Sequence, residues 1–263
     1  MSIIRIDQED IHYSLSGKPG APVLVLSNSL GTSLDMWSPQ EALGERFRLL
    51  RYDTRGHGRS AKPRGPYSLA QLGTDVLNLL DRLDIRQAAF CGISMGGLIG
   101  QWLGIHAPER FTHLALANTA ARIGTEQAWL DRAATVRAQG MRPVAEGAAS
   151  RWFTPDYAQA HADAVAPLLQ ALGAADPEGY ASCCEALAHA DLRDHIQHIK
   201  APTLIIAGSR DPVTTTADAD FMAGRIPGAR RVDLTASHLS NIEAAAAFND
   251  ALLSFVGSEP AAG

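Results

Sequence analysis

The sequence predicts an α/β protein: a mostly parallel, eight-stranded sheet flanked by helices, with a helical cap inserted into it. Three observations predict this class. Eight short β-rich runs recur, and from the third onward they are mostly continuous apolar stretches, as strands buried on both faces must be. Helical patterns separate those runs, giving the alternation of a doubly wound sheet. One stretch, residues 121–198, carries helix signals but no convincing strand, and it is far longer than a single crossover requires.

In chain order, residues 3–6 and 11–15 read as an antiparallel hairpin entering the sheet. Runs at 23–27, 48–52, 88–92, 113–117, 203–207 and 231–234 supply the remaining strands. A helix over 69–83 follows from apolar Leu69, Leu72, Val76, Leu79, Leu80 and Leu83, which share one face at 3.6 residues per turn. Further helices are expected over 96–106, 218–225 and 241–256. Within the insertion, the run from Thr125 opens a helix that Gly140 closes, and Pro155 and Pro177 suit first helical turns. The expected division is a core of residues 1–120 and 199–263 and a cap of 121–198, with 257–263 a frayed tail.

Composition narrows the class of function. The 263 residues are 46% hydrophobic and 19% charged, enough for one large core or a core with an insertion. Net charge is −5 and no Lys/Arg run exceeds two residues, which excludes nucleic acid and anionic membrane as expected partners. An anionic substrate therefore needs a local cation. No signal peptide and no membrane-spanning run is recognised. Cys91, Cys183 and Cys184 make no disulfide framework, so a reducing cytoplasm is the expected location.

The most informative motif is Gly92-Ile93-Ser94-Met95-Gly96, directly after an apolar run and before a helical pattern. A strand, a very tight turn and a helix present the serine hydroxyl as a nucleophile, and a Cβ on either flanking glycine would collide with the turn. Such a serine needs a base, a group that orients the base, and donors for an oxyanion. Asp211 follows the run at 203–207 and His238 follows the run at 231–234, where open α/β sheets carry functional groups. The backbone N–H groups of Met95 and Leu30 are the expected oxyanion donors, Leu30 lying in the loop Asn28-Ser29-Leu30-Gly31-Thr32-Ser33. The composition of that loop serves a plain turn equally well. His57, His195 and His198 are read as surface or packing residues. His195 and His198 have one metal-like spacing, but no cysteine or carboxylate supports a metal site. Asp53 and Arg55 are expected to form a buried pair that fixes a tight turn.

On these residues the chain resembles the α/β-hydrolase superfamily over essentially its whole length. Asp53-x-Arg55-Gly56-x-Gly58-x-Ser60, the serine turn, Gly208-x-x-Asp211 and His238 carry the resemblance, in the order serine, aspartate, histidine. More narrowly, it is similar to the 3-oxoadipate enol-lactonases of aromatic degradation through the β-ketoadipate pathway. That likeness rests on the segments from Leu26 to Thr32, Met36-Trp37, Gly92 to Gly104, Arg151 to Pro155, Ala207 to Thr214 and Ser237 to Asn241.

The resemblance implies an α/β-hydrolase fold and a small anionic lactone substrate, a five-membered enol-lactone bearing a carboxymethyl group. It implies Ser94 as nucleophile, His238 as base, Asp211 as its orienting partner, and no metal or organic cofactor. Among the cap residues Arg122, Arg132, Arg137, Arg142 and Arg151, one is expected to hold the substrate carboxylate. Trp129, Arg132, Arg137 and Trp152 are the substrate-binding candidates, although any one of the arginines taken singly suits an exposed helix face equally well. A broad carboxylesterase or perhydrolase, a C–C bond hydrolase, and a non-enzymatic receptor on the same fold are the competing readings. A dehalogenase is disfavoured because that branch carries Asp where this chain has Ser94. Oligomeric state is left open.

Overall fold

The structure is a computed structural model and describes residues 1–6 and 8–257, so the tail segment 258–263 lies outside the described residues. Eight strands form one sheet: β1 (Ser2–Ile6), β2 (Glu9–Gly17), β3 (Val23–Ser27), β4 (Arg48–Tyr52), β5 (Ala88–Ile93), β6 (Phe111–Ala117), β7 (Thr203–Gly208) and β8 (Arg230–Leu234). Their spatial order is β1-β2-β4-β3-β5-β6-β7-β8. The first two pairings, β1 with β2 and β2 with β4, are antiparallel, and all others are parallel. Every residue of β5 and β7 is buried, as the continuous apolar runs require.

The first helix, α1 (Leu69–Arg82), begins where the Ser68 hydroxyl accepts the Gln71 N–H, and its apolar stripe is buried against the sheet. It is followed by α2 (Met95–His106) after β5. Six helices lie between β6 and β7: α3 (Glu126–Gln139), α4 (Arg142–Glu146), α5 (Ala148–Trp152), α6 (Pro155–Ala160), α7 (Ala162–Gly173) and α8 (Pro177–Ala188). Thr125 caps the start of α3, and Gly140 ends it at φ 73°, a backbone region that favours glycine. The segment leaves and rejoins the sheet at one place, where the Leu192 N–H donates to the Ala121 carbonyl at 2.8 Å. After β7 comes α9 (Thr216–Arg225).

Three expectations are corrected. The helix expected over 241–256 is two, α10 (Ser240–Glu243) and α11 (Ala245–Val256), broken at Ala244 with φ −122° and ψ 46°. The Asn241 side chain holds α10 in place by donating to the Met36 carbonyl (2.9 Å) and to Gln40 Oε1 (3.0 Å). The second strand runs over nine residues rather than five, because β2 pairs with both β1 and β4.

Asp53 and Arg55 do not pair with each other. The Arg55 guanidinium reaches α1 and binds the Asp75 carboxylate through two bonds of 2.6 and 2.8 Å. The Asp53 carboxylate instead meets His12 Nδ1 (2.8 Å) and accepts the backbone N–H groups of Leu34 and Arg59 (both 2.8 Å). Each carboxylate is thus matched by a separate set of donors, and the turn is fixed by two anchors rather than one.

Candidate active site

Ser94 lies between the last residue of β5 and the first of α2, with φ 57° and ψ −115°, a conformation costing about 1–3 kcal/mol for a residue with a side chain. The glycines are required by contact. A Cβ on Gly92 would sit 2.1 Å from the Gly96 carbonyl oxygen, and one on Gly96 would sit 2.2 Å from the Ser27 carbonyl oxygen. The end of β6 pins the strained residue: the Ser94 N–H donates to the Ala117 carbonyl (3.0 Å) and the Thr119 hydroxyl to the Ser94 carbonyl (2.8 Å).

His238 follows β8 and Asp211 follows β7, and Nδ1 of the imidazole is 2.7 Å from Oδ2 of the carboxylate. Asp211 also accepts the N–H groups of Val213 (2.7 Å) and Thr214 (3.1 Å), the Thr214 hydroxyl (2.8 Å), and Asn118 Nδ2 (3.0 Å). Burial by itself raises the carboxyl pKa, but the His238 bond and charge, with Asn118 and Val213, outweigh it and hold Asp211 below the ordinary carboxylate range. An ionised Asp211 can only accept, so Nδ1 carries the ring proton and Nε2 keeps a free lone pair. Ser94 and His238 both line a cavity of about 250 Å³.

The loop after β3 borders the same cavity through Ser29 and Leu30. Asn28 is fixed on both sides: Nδ2 donates to the Tyr52 carbonyl (2.7 Å), Oδ1 accepts Trp37 Nε1 (2.8 Å), and its own carbonyl accepts the Gly96 N–H (3.1 Å). The Ser29 N–H points to Met36 Sδ (3.4 Å) and the Gly31 N–H to His57 Nε2 (2.9 Å). The N–H groups of Leu30 and Met95 make no hydrogen bond among the described residues. Among the described residues two amides without a partner thus belong to the surroundings of Ser94, one on the loop that lines its cavity and one at the start of α2.

Of the four cap candidates, Trp129, Arg132 and Trp152 line the cavity. Arg137 does not. Its guanidinium is held by Glu178 and Glu185 on α8, with bonds of 2.5–3.0 Å, which stitches α3 to α8 away from the serine. Arg151 takes its place in the cavity lining. It donates to the Val144 carbonyl (2.7 Å), while Arg132 lies over the Trp129 ring at 4.8 Å and beside the Tyr180 hydroxyl. Neither arginine is in an ion pair with a carboxylate among the described residues. Burial lowers the Arg151 pKa, and the charge of Arg132 lowers it further. Two mutually repelling cations on the lining of one cavity are an arrangement that can accept an anion.

Sequence reasoning missed Asn118, which follows β6 at φ 42°; a polar residue at a third strand end was the available signal. It also set aside His57, whose ring accepts a loop amide that no local pattern reveals. Burial lowers the His57 pKa despite the Arg55 carbonyl and Asp53, which keeps the ring neutral and able to accept. The three cysteines are free and buried. Among the described residues no group of His, Cys, Asp and Glu could hold a metal ion, and no helix is long and apolar enough to cross a membrane.

A strained serine at a strand-to-helix turn, sharing a cavity with a histidine that is bonded to an aspartate from the neighbouring strand end, defines a class. The chain belongs to the α/β-hydrolase family and is a hydrolase: a family model described as "alpha/beta hydrolase fold" matches residues 22–245. It is 53% identical to 3-oxoadipate enol-lactonase 2 of Acinetobacter baylyi over 92% of this chain and 91% of that protein. It is 44% identical to 3-oxoadipate enol-lactonase 1 of the same organism, over 94% and 93%. The crystal structure of the enol-lactonase from Burkholderia xenovorans LB400 superposes with a TM-score of 0.96 at 46% identity, covering 98% of this chain and 100% of that one. Within the family, the chain is a member of this 3-oxoadipate enol-lactonase group.

Proposed function

We propose that the protein opens 3-oxoadipate enol-lactone to 3-oxoadipate, a step of aromatic catabolism by the β-ketoadipate route, using Ser94, His238 and Asp211. The observation that carries this reading is one cavity holding Ser94, His238 and two arginines that have no carboxylate partner among the described residues, in a chain of net charge −5. A neutral ester gives such a pair of cations nothing to bind. The identities of 53% and 44% to named enol-lactonases support the same substrate.

In this mechanism the lactone carbonyl carbon lies against Ser94 and the carboxymethyl group against Arg132 and Arg151. His238 Nε2 takes the Ser94 proton as Oγ attacks, and Asp211 stabilises the imidazolium. The negative oxygen of the tetrahedral intermediate accepts the Leu30 and Met95 N–H groups, each worth about 3–4 kcal/mol at a comparable site. Collapse breaks the ring C–O bond. The departing enolate oxygen takes the proton from His238, and the enol tautomerises to the ketone while the chain stays esterified to Ser94. His238 then deprotonates water, whose hydroxide displaces the Ser94 oxygen; the proton on His238 returns to Ser94, and the new carboxylic acid loses its proton to solvent, so the net change is the addition of one water and the release of one proton. The cap segment supplies carboxylate recognition and excludes bulk solvent.

The test is turnover of the enol-lactone by purified protein, followed by loss of the enol-lactone chromophore. Catalysis that vanishes in Ser94→Ala is expected. Consumption no faster than spontaneous hydrolysis, or faster turnover of short p-nitrophenyl esters than of the lactone, would instead support the carboxylesterase reading.

A further inference from the structure

The segment carrying Arg151 and Trp152 is bonded directly to the residues on either side of His238. The Ser237 hydroxyl donates to the Arg151 carbonyl (3.3 Å), and the Leu239 N–H donates to the Trp152 carbonyl (3.0 Å). Glu243, on α10, closes this junction. Its Oε2 accepts the Ser237 N–H at 2.9 Å, and its carboxylate also accepts the Thr154 hydroxyl and the Thr154 N–H (3.3 and 3.4 Å to the two oxygens). Tyr157 adds a further link to α10, its hydroxyl donating to the Ile242 carbonyl at 3.3 Å. No cation pairs with Glu243 among the described residues, and its neighbours are donors from the two segments it joins.

We propose that Glu243 is a positioning residue that couples substrate-carboxylate recognition to the placement of the His238 base, by clamping the Arg151–Thr154 segment to the Ser237–Leu239 loop. The inference rests on the carboxylate-binding reading of Arg151 given above. A carboxylate that draws in Arg151 pulls on a chain whose next carbonyls hold the flanks of His238. The ordering obtained at the remote end of the substrate is thus spent at the reacting end, which raises kcat rather than lowering KM alone.

A double-mutant cycle on kcat and KM with the enol-lactone tests it, using the full chain as wild type, Arg151→Leu, Glu243→Ala and the double variant. Arg151→Leu is expected to lower kcat about tenfold in the wild-type background and no more than about threefold once Glu243 is alanine, with KM raised in both. Glu243→Gln is expected to keep at least about half of wild-type kcat, because its amide oxygen still accepts from Ser237 and its NH2 can donate to the Thr154 hydroxyl. If the two losses multiply to within about twofold, the coupling is overturned while carboxylate binding by Arg151 stands. If Arg151→Leu changes neither kcat nor KM in the wild-type background, the carboxylate reading itself fails. Should Glu243→Ala not fold, Thr154→Val opens the same clamp from the other side and is run through the same cycle. An equal fall in kcat on the lactone and on its neutral methyl ester would mark Glu243 as merely structural.

Discussion

Replacing Arg132 with methionine isolates the electrostatic part of substrate binding. The guanidinium is 4.8 Å over the Trp129 ring and in no ion pair among the described residues, so its loss orphans no buried carboxylate. Methionine keeps the length and the contact with the ring. Losing the contact with the Tyr180 hydroxyl adds to the stability cost; the cation–π interaction itself contributes about 0.5–1 kcal/mol. In a chain of this size that lowers Tm by only about 1–4 °C. Activity changes on another scale. One charge-assisted hydrogen bond to the substrate carboxylate is worth about 1.5–3 kcal/mol, which is about 10–150-fold in kcat/KM. Steady-state kinetics on the enol-lactone and on its methyl ester separate the two effects, since only the acid presents a charge. The expected result is a loss on the acid and less than about a threefold change on the ester. An equal loss on both, or no loss on the acid, refutes the assignment of Arg132 to the carboxylate.

Other expectations follow from the same contacts. Arg137→Met should leave kcat/KM within about twofold, because Arg137 binds Glu178 and Glu185 rather than the cavity; a larger fall on the lactone would return it to the site. Asp211→Asn should lower kcat by about four orders of magnitude by favouring the wrong His238 tautomer. The depressed Asp211 pKa contributes stability that is present above the unfolded carboxylate value and lost as pH falls through the lower folded value. Stability to unfolding, followed from about pH 5 downward, should therefore decline less steeply in Asp211→Asn than in the wild type. His57→Leu leaves the buried Gly31 N–H without its acceptor, costing about 1–3 kcal/mol in urea unfolding, and should reduce kcat by displacing Leu30. Gly96→Ala should abolish folding or activity, since its Cβ meets the Ser27 carbonyl oxygen; wild-type melting and turnover would contradict the contact.

The parts of the site legible in the sequence are those that sit at strand ends. Ser94, Asp211 and His238 each follow a β-rich run, and the parallel sheet brings the carboxyl ends of its strands to one edge. The arginines of α3 show why the remainder is not legible. Trp129, Ala133 and Val136 form the buried stripe, and on a helical wheel Arg132 and Arg137 flank it on opposite sides, each by about 60–80°. Periodicity identifies the stripe but does not say which flank meets the cavity. That is decided by α8, whose Glu178 and Glu185 capture Arg137 and leave Arg132 to the other side. Asp53 and Arg55 teach the same lesson: their partners, His12 and Asp75, stand 41 and 20 residues away. The break at Ala244 also has a distant cause, the anchoring of Asn241 on Met36 and Gln40.

The Asn118 amide has a bearing on when the enzyme comes into being. Its Nδ2 contacts Asp211 and the Ser237 carbonyl, and its Oδ1 accepts the Ser240 hydroxyl, across sequence separations of 93, 119 and 122 residues. Contacts of that span carry a large loop-closure entropy and form only when the strands that deliver them have docked. In the proposed mechanism the acid–base half of the site is thus assembled from the last third of the chain, after synthesis has passed β8. A nascent chain stalled before that strand can carry Ser94 on a finished turn and still have no base. Regain of turnover on refolding accordingly reports completion of the whole sheet, and a partly folded chain is kept from being an indiscriminate esterase.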